Sequence, residues 1–283
     1  MSRVLVVGAT GKVGREAVHE LSSLGATVLA ATRRPADYRG PNGVQPVELD
    51  LDRPGTWDDA VRGVTHLFLM ARPGDPRPEA TLVPLFERAR TAELERVALL
   101  SILGADRDED LGVRKVEKHL AASGVPWTFL RPNWFMQNFS DGFLLDSIKA
   151  AGGIYLPVGD AKVSYIDTRD VGQVGARAIL EDRHVGRAYA LTGPRALDHA
   201  EAASILSRTS GRTIAYVPIG EDDARKGMLK SGWPAASVDF FLRLMRGMRA
   251  GDAATVSPDV RSVLGREPIT FEQFADRHAS QWR

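Results

Sequence analysis

Val4-Leu5-Val6-Val7-Gly8-Ala9-Thr10-Gly11-Lys12-Val13-Gly14 is the stretch that decides the fold. Its four apolar, mostly β-branched residues show no polar alternation, as in a strand buried on both faces of a parallel sheet. Glycines follow at 8, 11 and 14, and an amphipathic helical pattern follows them. A strand, a glycine turn and a helix N-terminus together make a phosphate site. Gly8 permits the tight turn, Gly11 lets a pyrophosphate approach the backbone, and Gly14 lets the helix pack close to the sheet. Thr10, Lys12 and Val13 complete the turn around the anion. The spacing is Gly-x-x-Gly-x-x-Gly rather than the commoner Gly-x-Gly-x-x-Gly, so its weight rests on the strand before it and the helix after it. A P-loop is excluded, because Val13 follows Lys12 where Ser or Thr is needed and no glycine lies five residues before Gly11.

The rest of the chain repeats this alternation. Val13, Ala17, Val18, Leu21 and Leu24 recur at helical spacing, and Gly25 supplies the stop. Strands are predicted at Thr27–Thr32, Val44–Leu49, His66–Ala71, Arg96–Ile102 and Trp127–Leu130, with helices over 57–62, 79–92 and 111–122 between them. Such order gives an α/β fold with a doubly wound parallel sheet, whose ligands bind outside the carboxyl ends of the strands.

The end of the second strand decides the cofactor. About 20 residues past the last glycine, an NAD site wants an acid on the ribose and an NADP site wants arginine. Arg33 and Arg34 stand there, with no acid until Asp37, so the expected cofactor is NADPH. At the following strand ends, Asp50 and Leu51 are placed for the adenine, Met70, Ala71 and Arg72 beside the cofactor, and Ser101 at the fifth strand's edge. Asp52 reads equally as a helix N-cap. Ser101 reads either as polarising a substrate or as bonding local backbone.

Composition narrows the class. Of 283 residues, 43% are hydrophobic and 26% charged, with a net charge of +1. That argues against nucleic acid or an anionic membrane surface as the main partner. The absence of cysteine excludes disulfides, thiolate catalysis and Cys-metal sites, and fits a reducing cytoplasm. The N-terminus enters a core strand at once, which leaves no room for a signal peptide. No apolar run approaches the roughly 18 residues that span a bilayer. The six histidines show no ligand spacing, so no metal is expected.

Four stretches resemble the NmrA-like atypical short-chain dehydrogenase/reductases. They are Gly-Ala-Thr-Gly-Lys-Val-Gly at 8–14, the run from Glu117 to Asn138 that contains Leu-Arg-Pro-Asn-Trp-Phe, Tyr-Ile-Asp-Thr-Arg-Asp-Val at 165–171, and Leu-Thr-Gly-Pro at 191–194. The resemblance implies an NADP-binding Rossmann fold with a small C-terminal substrate-capping region. It also implies that the backbone around Pro132, Asn133 and Phe135 lies against the nicotinamide. On this basis the chain is expected to be a single domain over 1–283, with 1–132 as its dinucleotide-binding core. Residues 133–165 and 195–283 would supply the cap, and both halves would share one sheet.

Ordinary short-chain dehydrogenases use Tyr-x-x-x-Lys, in which tyrosine donates the proton and lysine lowers its pKa. The tyrosines here, at 38, 155, 165, 189 and 216, all miss the helix before Gly124. Aligning on Glu117 places Glu109 and Val113 at the two catalytic positions, and a two-residue shift gives Leu111 and Lys115. Neither register restores the tyrosine, so no catalytic residue is assigned. Two function classes survive. An oxidoreductase would pass hydride to a small aromatic or conjugated acceptor that needs little protein acid: a quinone, iminium, dye or activated alkene. A redox sensor would instead bind the dinucleotide and act through a protein partner. A narrower third option keeps NADP as a redox-neutral cofactor.

The C-terminal half favours the enzyme. Trp233, Phe240, Phe241, Leu244, Met245 and Met248 form an aromatic and methionine stripe, which is ordinarily core. In the resembling family this region covers the nicotinamide. Trp134, Tyr165, Trp233 and Phe240 are therefore the expected walls of an apolar substrate cavity. Arg243, Arg246 and Arg249 read as a solvated face or a homodimer contact, and Asp170 as the N-cap of a helix over 171–180.

Overall fold

The structure, a computed structural model, describes residues 2–283. The chain divides into two compact units. The first runs to Pro132 and adds Thr168–Ala190 and Ser262–Gly265; the second comprises Asn133–Asp167, Leu191–Arg261 and Arg266–Arg283.

In the first unit strands and helices alternate as β1 (Arg3–Val6), α1 (Lys12–Ser23), β2 (Thr27–Thr32), β3 (Gln45–Glu48), α2 (Trp57–Val61), β4 (His66–Met70), α3 (Glu79–Arg90), β5 (Arg96–Leu100), α4 (Gly112–Ala122) and β6 (Trp127–Pro132). Helix α5 (Leu145–Ala151) and β7 (Gly153–Leu156) follow, then α6 (Thr168–Leu180) and β8 (Arg187–Leu191). The sheet order is β3-β2-β1-β4-β5-β6-β8. Pairings among β1 to β6 are all parallel, which gives the doubly wound α/β sheet. Chain direction across the sheet reverses between β1 and β4, and such switch points are where ligands bind in this architecture.

The apolar runs explain the elements. Val4, Leu5, Val6, Leu67, Phe68, Leu69, Val97, Ala98 and Leu99 are completely buried, as continuous hydrophobic strands of a two-faced sheet must be. Helix α1 buries Val13, Ala17, Val18 and Leu21. Helix α6 meets it at Gly172, where a Cβ would stand 2.5 Å from Glu16 Cβ and 2.8 Å from the Ala17 nitrogen. At Gly175 a Cβ would stand 2.3 Å from the Phe68 ring. Only glycine lets α6 lie this close to both the helix and the sheet.

Two expected caps fall elsewhere. Helix α6 begins at Thr168, so Asp170 lies fully buried inside its first turn rather than capping it. The short 3-10 turn Pro54–Thr56 is preceded by Arg53, not Asp52.

The second unit contains α5, β7, α7 (His199–Ser210), β9 (Ala215–Pro218), α8 (Glu221–Lys230), α9 (Ala235–Arg249) and α11 (Phe271–His278); α10 (Asp259–Leu264) precedes the last of these. The expectation of one shared sheet is corrected here. β8 joins the large sheet beside β6, whereas β7 and β9 pair only with each other, in parallel. The unit has its own core, including Met136, Phe139, Ile148, Val238, Leu242, Phe274 and Trp282. Among the described residues, no helix is long and apolar enough to cross a membrane.

Candidate functional site

The glycine turn is built by backbone contact. Gly8 holds a φ of 74°, a left-handed value that favours glycine, and a Cβ there would lie 3.0 Å from Met70 Sδ. The Gly11 nitrogen donates to the Gly8 carbonyl at 2.9 Å. A Cβ on Gly14 would stand 2.1 Å from that same carbonyl oxygen, so the third glycine is sterically required. At Gly11 the nearest approach is a looser 3.2 Å. Gly11 is the N-cap of α1; no side chain caps the helix, and its first turn carries no acid. The turn therefore ends in backbone donors and the positive end of a dipole, which is the arrangement that fits a dinucleotide's phosphates. Thr10 is exposed and Val13 turns its side chain into the core.

Arg33 and Arg34 follow β2 and both are exposed. Arg34 Nε lies 3.3 Å from the Asp37 carboxylate, with both side chains largely in solvent. After β3, Asp50 and Leu51 are half-buried. The Asp50 carboxylate accepts from the Asp52 nitrogen at 3.0 Å, and its carbonyl accepts from Trp57 Nε1 at 2.8 Å. After β4, Met70 is buried against Gly8, Ala71 is half-buried, and Arg72 pairs with Asp52 and lies 3.9 Å from Asp75.

Ser101 is buried, and its hydroxyl is committed. It donates to Glu117 Oε1 at 2.6 Å, a distant side chain where the local-backbone reading expected a neighbouring carbonyl. Glu117 has no exposed surface. It also accepts two bonds from Arg131, at 2.9 and 2.8 Å, and one from Arg114 at 3.1 Å. Asp106 meets Arg131 from the other side at 2.7 Å. Hydrogen bonding to Glu117 raises the Arg131 pKa above its ordinary value. A buried carboxylate that accepts from this many donors fixes the ends of β5 and β6. Pro132 is held there too, its carbonyl accepting from the Leu103 nitrogen at 2.9 Å.

This network is absent from the motif reading, although one signal pointed to it. Val113, Val116 and Leu120 form the apolar face of α4, and Glu117 stands on that face. A carboxylate on a buried stripe needs partners.

In the second unit, Asn133 is satisfied within the protein. Its amide donates to Ser164 Oγ at 2.7 Å and to the Ala253 carbonyl at 2.8 Å, while its Oδ1 accepts from the Trp134 nitrogen at 2.9 Å. The side chain thus fixes the backbone of the 133–135 segment rather than reaching for a ligand. Phe135 is half-buried and bridges to Ile166.

The aromatic residues sort into two groups. Trp134, Phe143, Trp233 and Phe241 form a half-buried cluster of edge-on contacts, with centroids 5.2 Å apart for Trp134–Phe241 and Trp233–Phe241 and 5.0 Å for Phe143–Phe241. The predicted Phe240 is half-buried but outside this cluster; its neighbour Phe241 occupies the place. Tyr165 is also placed differently from expectation. It lies in the core against Phe139 and Phe271, and its hydroxyl is 2.8 Å from His199 Nε2. Burial raises the Tyr165 pKa well above the ordinary value and lowers that of His199 to about 4. On the surface of α9, Arg246 and Arg249 converge on Glu221 of α8.

A groove of about 620 Å³ lies between β3 and α2, lined by Val47, Glu48, Arg53 and Thr56 among others. None of the predicted site residues lines it. Among the described residues, no group of three or more His, Asp or Glu is placed to hold a metal ion.

Residues 8–182 match a family described as NAD(P)H-binding. An NAD(P)H azoreductase of Xenophilus azovorans is 34% identical over 283 residues, covering 98% of this chain and 98% of its own. The prestalk A differentiation protein A of Dictyostelium discoideum is 30% identical over 277 residues, covering 96% of this chain and 91% of its own. Among solved structures, an NADPH-dependent quinone oxidoreductase of Escherichia coli complexed with NADPH superposes with a TM-score of 0.83 at 24% identity, covering 98% of this chain and 99% of that one. That likeness concerns the fold.

Proposed function

The chain belongs to the NAD(P)H-binding family, and on that premise we propose that it is an NADPH-dependent oxidoreductase passing hydride to a small aromatic or conjugated acceptor. The observation that carries the proposal is the three-glycine cradle, whose third position admits no Cβ and which opens into a helix with no side-chain cap. NADPH, when bound, supplies the hydride. The protein's own residues bind and position. In this reading the amides at the start of α1 take the diphosphate, while Arg33 and Arg34 take the 2′-phosphate as charge-assisted donors. Asp50, Leu51, Met70 and Ala71 border the adenosine end. Asn133 holds the backbone from Trp134 to Phe135 in place.

The acceptor surface is assigned to Trp134, Phe143, Trp233 and Phe241. These are large, rigid rings that favour a flat apolar molecule and exclude water. Glu109 and Leu111 stand at the tyrosine position in the two registers; Leu111 is buried, and Glu109 is engaged by Arg114 and Lys118. With no phenol there, the acceptor is one whose reduction needs little protein acid, such as a quinone, dye, iminium or activated alkene. The protein is taken as cytoplasmic and homodimeric, with no nucleic-acid partner; sedimentation velocity tests the dimer.

Incubation with NADPH and a panel of azo and triphenylmethane dyes, quinones and iminium compounds tests the assignment. Loss of reduced-nicotinamide absorbance with at least one acceptor is expected. A second reading is favoured by the name of the Dictyostelium relative, which is that of a differentiation protein. It makes the chain a dinucleotide sensor. Absence of turnover with every acceptor, equal affinity for NADPH and NADP⁺, and a co-purifying protein would favour it.

A further inference from the structure

Arg72 and Asp52 belong to different loops, and an ion pair joins them. Asp52 follows β3 and Arg72 follows β4, and the sheet places β2 and β1 between those strands. The intervening pairings are parallel, so both loops leave the sheet at the same, carboxyl edge. Three strand spacings separate β3 from β4, about 14 Å. The pair therefore spans the carboxyl edge beyond β2 and β1, the strands that lead into the glycine turn and into Arg33 and Arg34.

Both abutments are braced. The Asp50 carboxylate accepts from the Asp52 nitrogen at 3.0 Å, and the Asp50 nitrogen donates to Thr56 Oγ1 at 3.0 Å. On the far side the Asp75 nitrogen donates to the Arg72 carbonyl at 3.2 Å, and its carboxylate stands 3.9 Å from the guanidinium. Two carboxylates thus compensate Arg72, whereas Arg34 meets the single carboxylate of Asp37, both side chains largely in solvent. Arg72 differs in kind from the two cations assigned to phosphate.

We propose that Asp52 and Arg72 form a clasp over the adenosine half of the dinucleotide, whose opening sets the cofactor's residence time. The proposal rests on the reading that NADPH occupies the glycine turn. Arg72 is then a positioning residue rather than a phosphate ligand. The two side chains are 39% and 72% exposed, so the pair is solvent-screened and its effect is modest.

Stopped-flow displacement of NADPH by excess NADP⁺, read by nicotinamide fluorescence, tests the clasp on the full chain. Asp52→Ala and Arg72→Ala are each expected to speed dissociation about two- to fivefold. The double alanine variant should be no faster than either single one. Reversing the pair, with Asp52→Arg and Arg72→Asp together, should return the rate to within about twofold of the parent. Arg62→Gln, which breaks the exposed pair with Asp59 after α2, serves as the control and should change nothing. Tighter binding in Asp52→Ala alongside weaker binding in Arg72→Ala would make Arg72 a direct phosphate ligand and overturn the clasp. Unchanged dissociation in both single variants would overturn it as well. A parent protein that holds no NADPH would remove the functional reading and the clasp together, an outcome distinct from both.

Discussion

The carboxyl ends of β5 and β6 and those of β1 and β2 share one sheet edge and are built in opposite ways. At β5 and β6, Glu117 is completely buried, and Ser101, Arg114 and Arg131 all donate to it. At β1 and β2 the donors are backbone amides, and the cations Arg33 and Arg34 stand in solvent. Charges matched inside the protein hold backbone geometry, because taking one away strands the others. Charges left in water cost the fold little and remain available to a ligand. One half of the edge is scaffold, and the other is the proposed receptor.

The largest effect should come from breaking the scaffold half. Glu117→Ala leaves the Arg131 and Arg114 guanidinium groups without their shared carboxylate and is expected to cost about 3–5 kcal/mol, read as a lower urea midpoint. A loss below about 1 kcal/mol would mean the network behaves like a surface pair.

His199 sharpens the contrast, as a buried base whose ring bonds a phenol rather than a carboxylate. Its pKa falls from 6.5 to about 4 because burial disfavours the charged ring. The unfolded chain then binds the proton more readily, so this contribution is complete above about pH 6.5 and is lost as pH falls towards 4. The total is about 3 kcal/mol. Urea titrations at pH 7 and pH 4.5 should show a smaller difference for His199→Gln than for the parent.

Gly14→Ala probes the receptor half through the backbone. Its Cβ would meet the Gly8 carbonyl at 2.1 Å, so the turn must move, at about 1–3 kcal/mol, and NADPH affinity by calorimetry should fall more than tenfold. Last in effect on the fold is the pair Arg33→Ala and Arg34→Ala. Stability should stay within about 0.5 kcal/mol, while NADPH affinity falls roughly 10- to 100-fold and NADH affinity holds. Unchanged NADPH binding would show that the exposed cations are not ligands.

The glycine turn was legible because it is written locally: the spacing of Gly8, Gly11 and Gly14 after an apolar strand sets the close backbone contacts the structure shows, and Arg33 and Arg34 fall at the end of β2 as read. The scaffold half depends on pairs distant in sequence, such as Ser101 with Glu117 and Glu117 with Arg131, which only packing brings together. The aromatic cluster shows a finer limit. The stripe on α9 predicted a ring, but whether Phe240 or Phe241 faces Trp134 depends on a rotation of about 100° that periodicity does not set. Phe143 stands outside any periodic segment and gave no signal. Tyr165 sits in a motif but serves the core, because its partner His199 lies beyond the motif. Strands β7 and β9, four residues each, are too short for alternation to register.

The Gly172 contact has a consequence for biosynthesis. The helix that follows the glycine turn is met at Glu16 and Ala17 by a segment that leaves the ribosome some 150 residues later. At roughly 5–20 residues per second, the nascent chain waits on the order of ten seconds or more with the seam of α1 uncovered. Until α6 arrives, the turn has its glycines but lacks the helix that braces it. Translation arrested near Pro132 would leave a half-built receptor and an exposed apolar stripe for chaperones to shield.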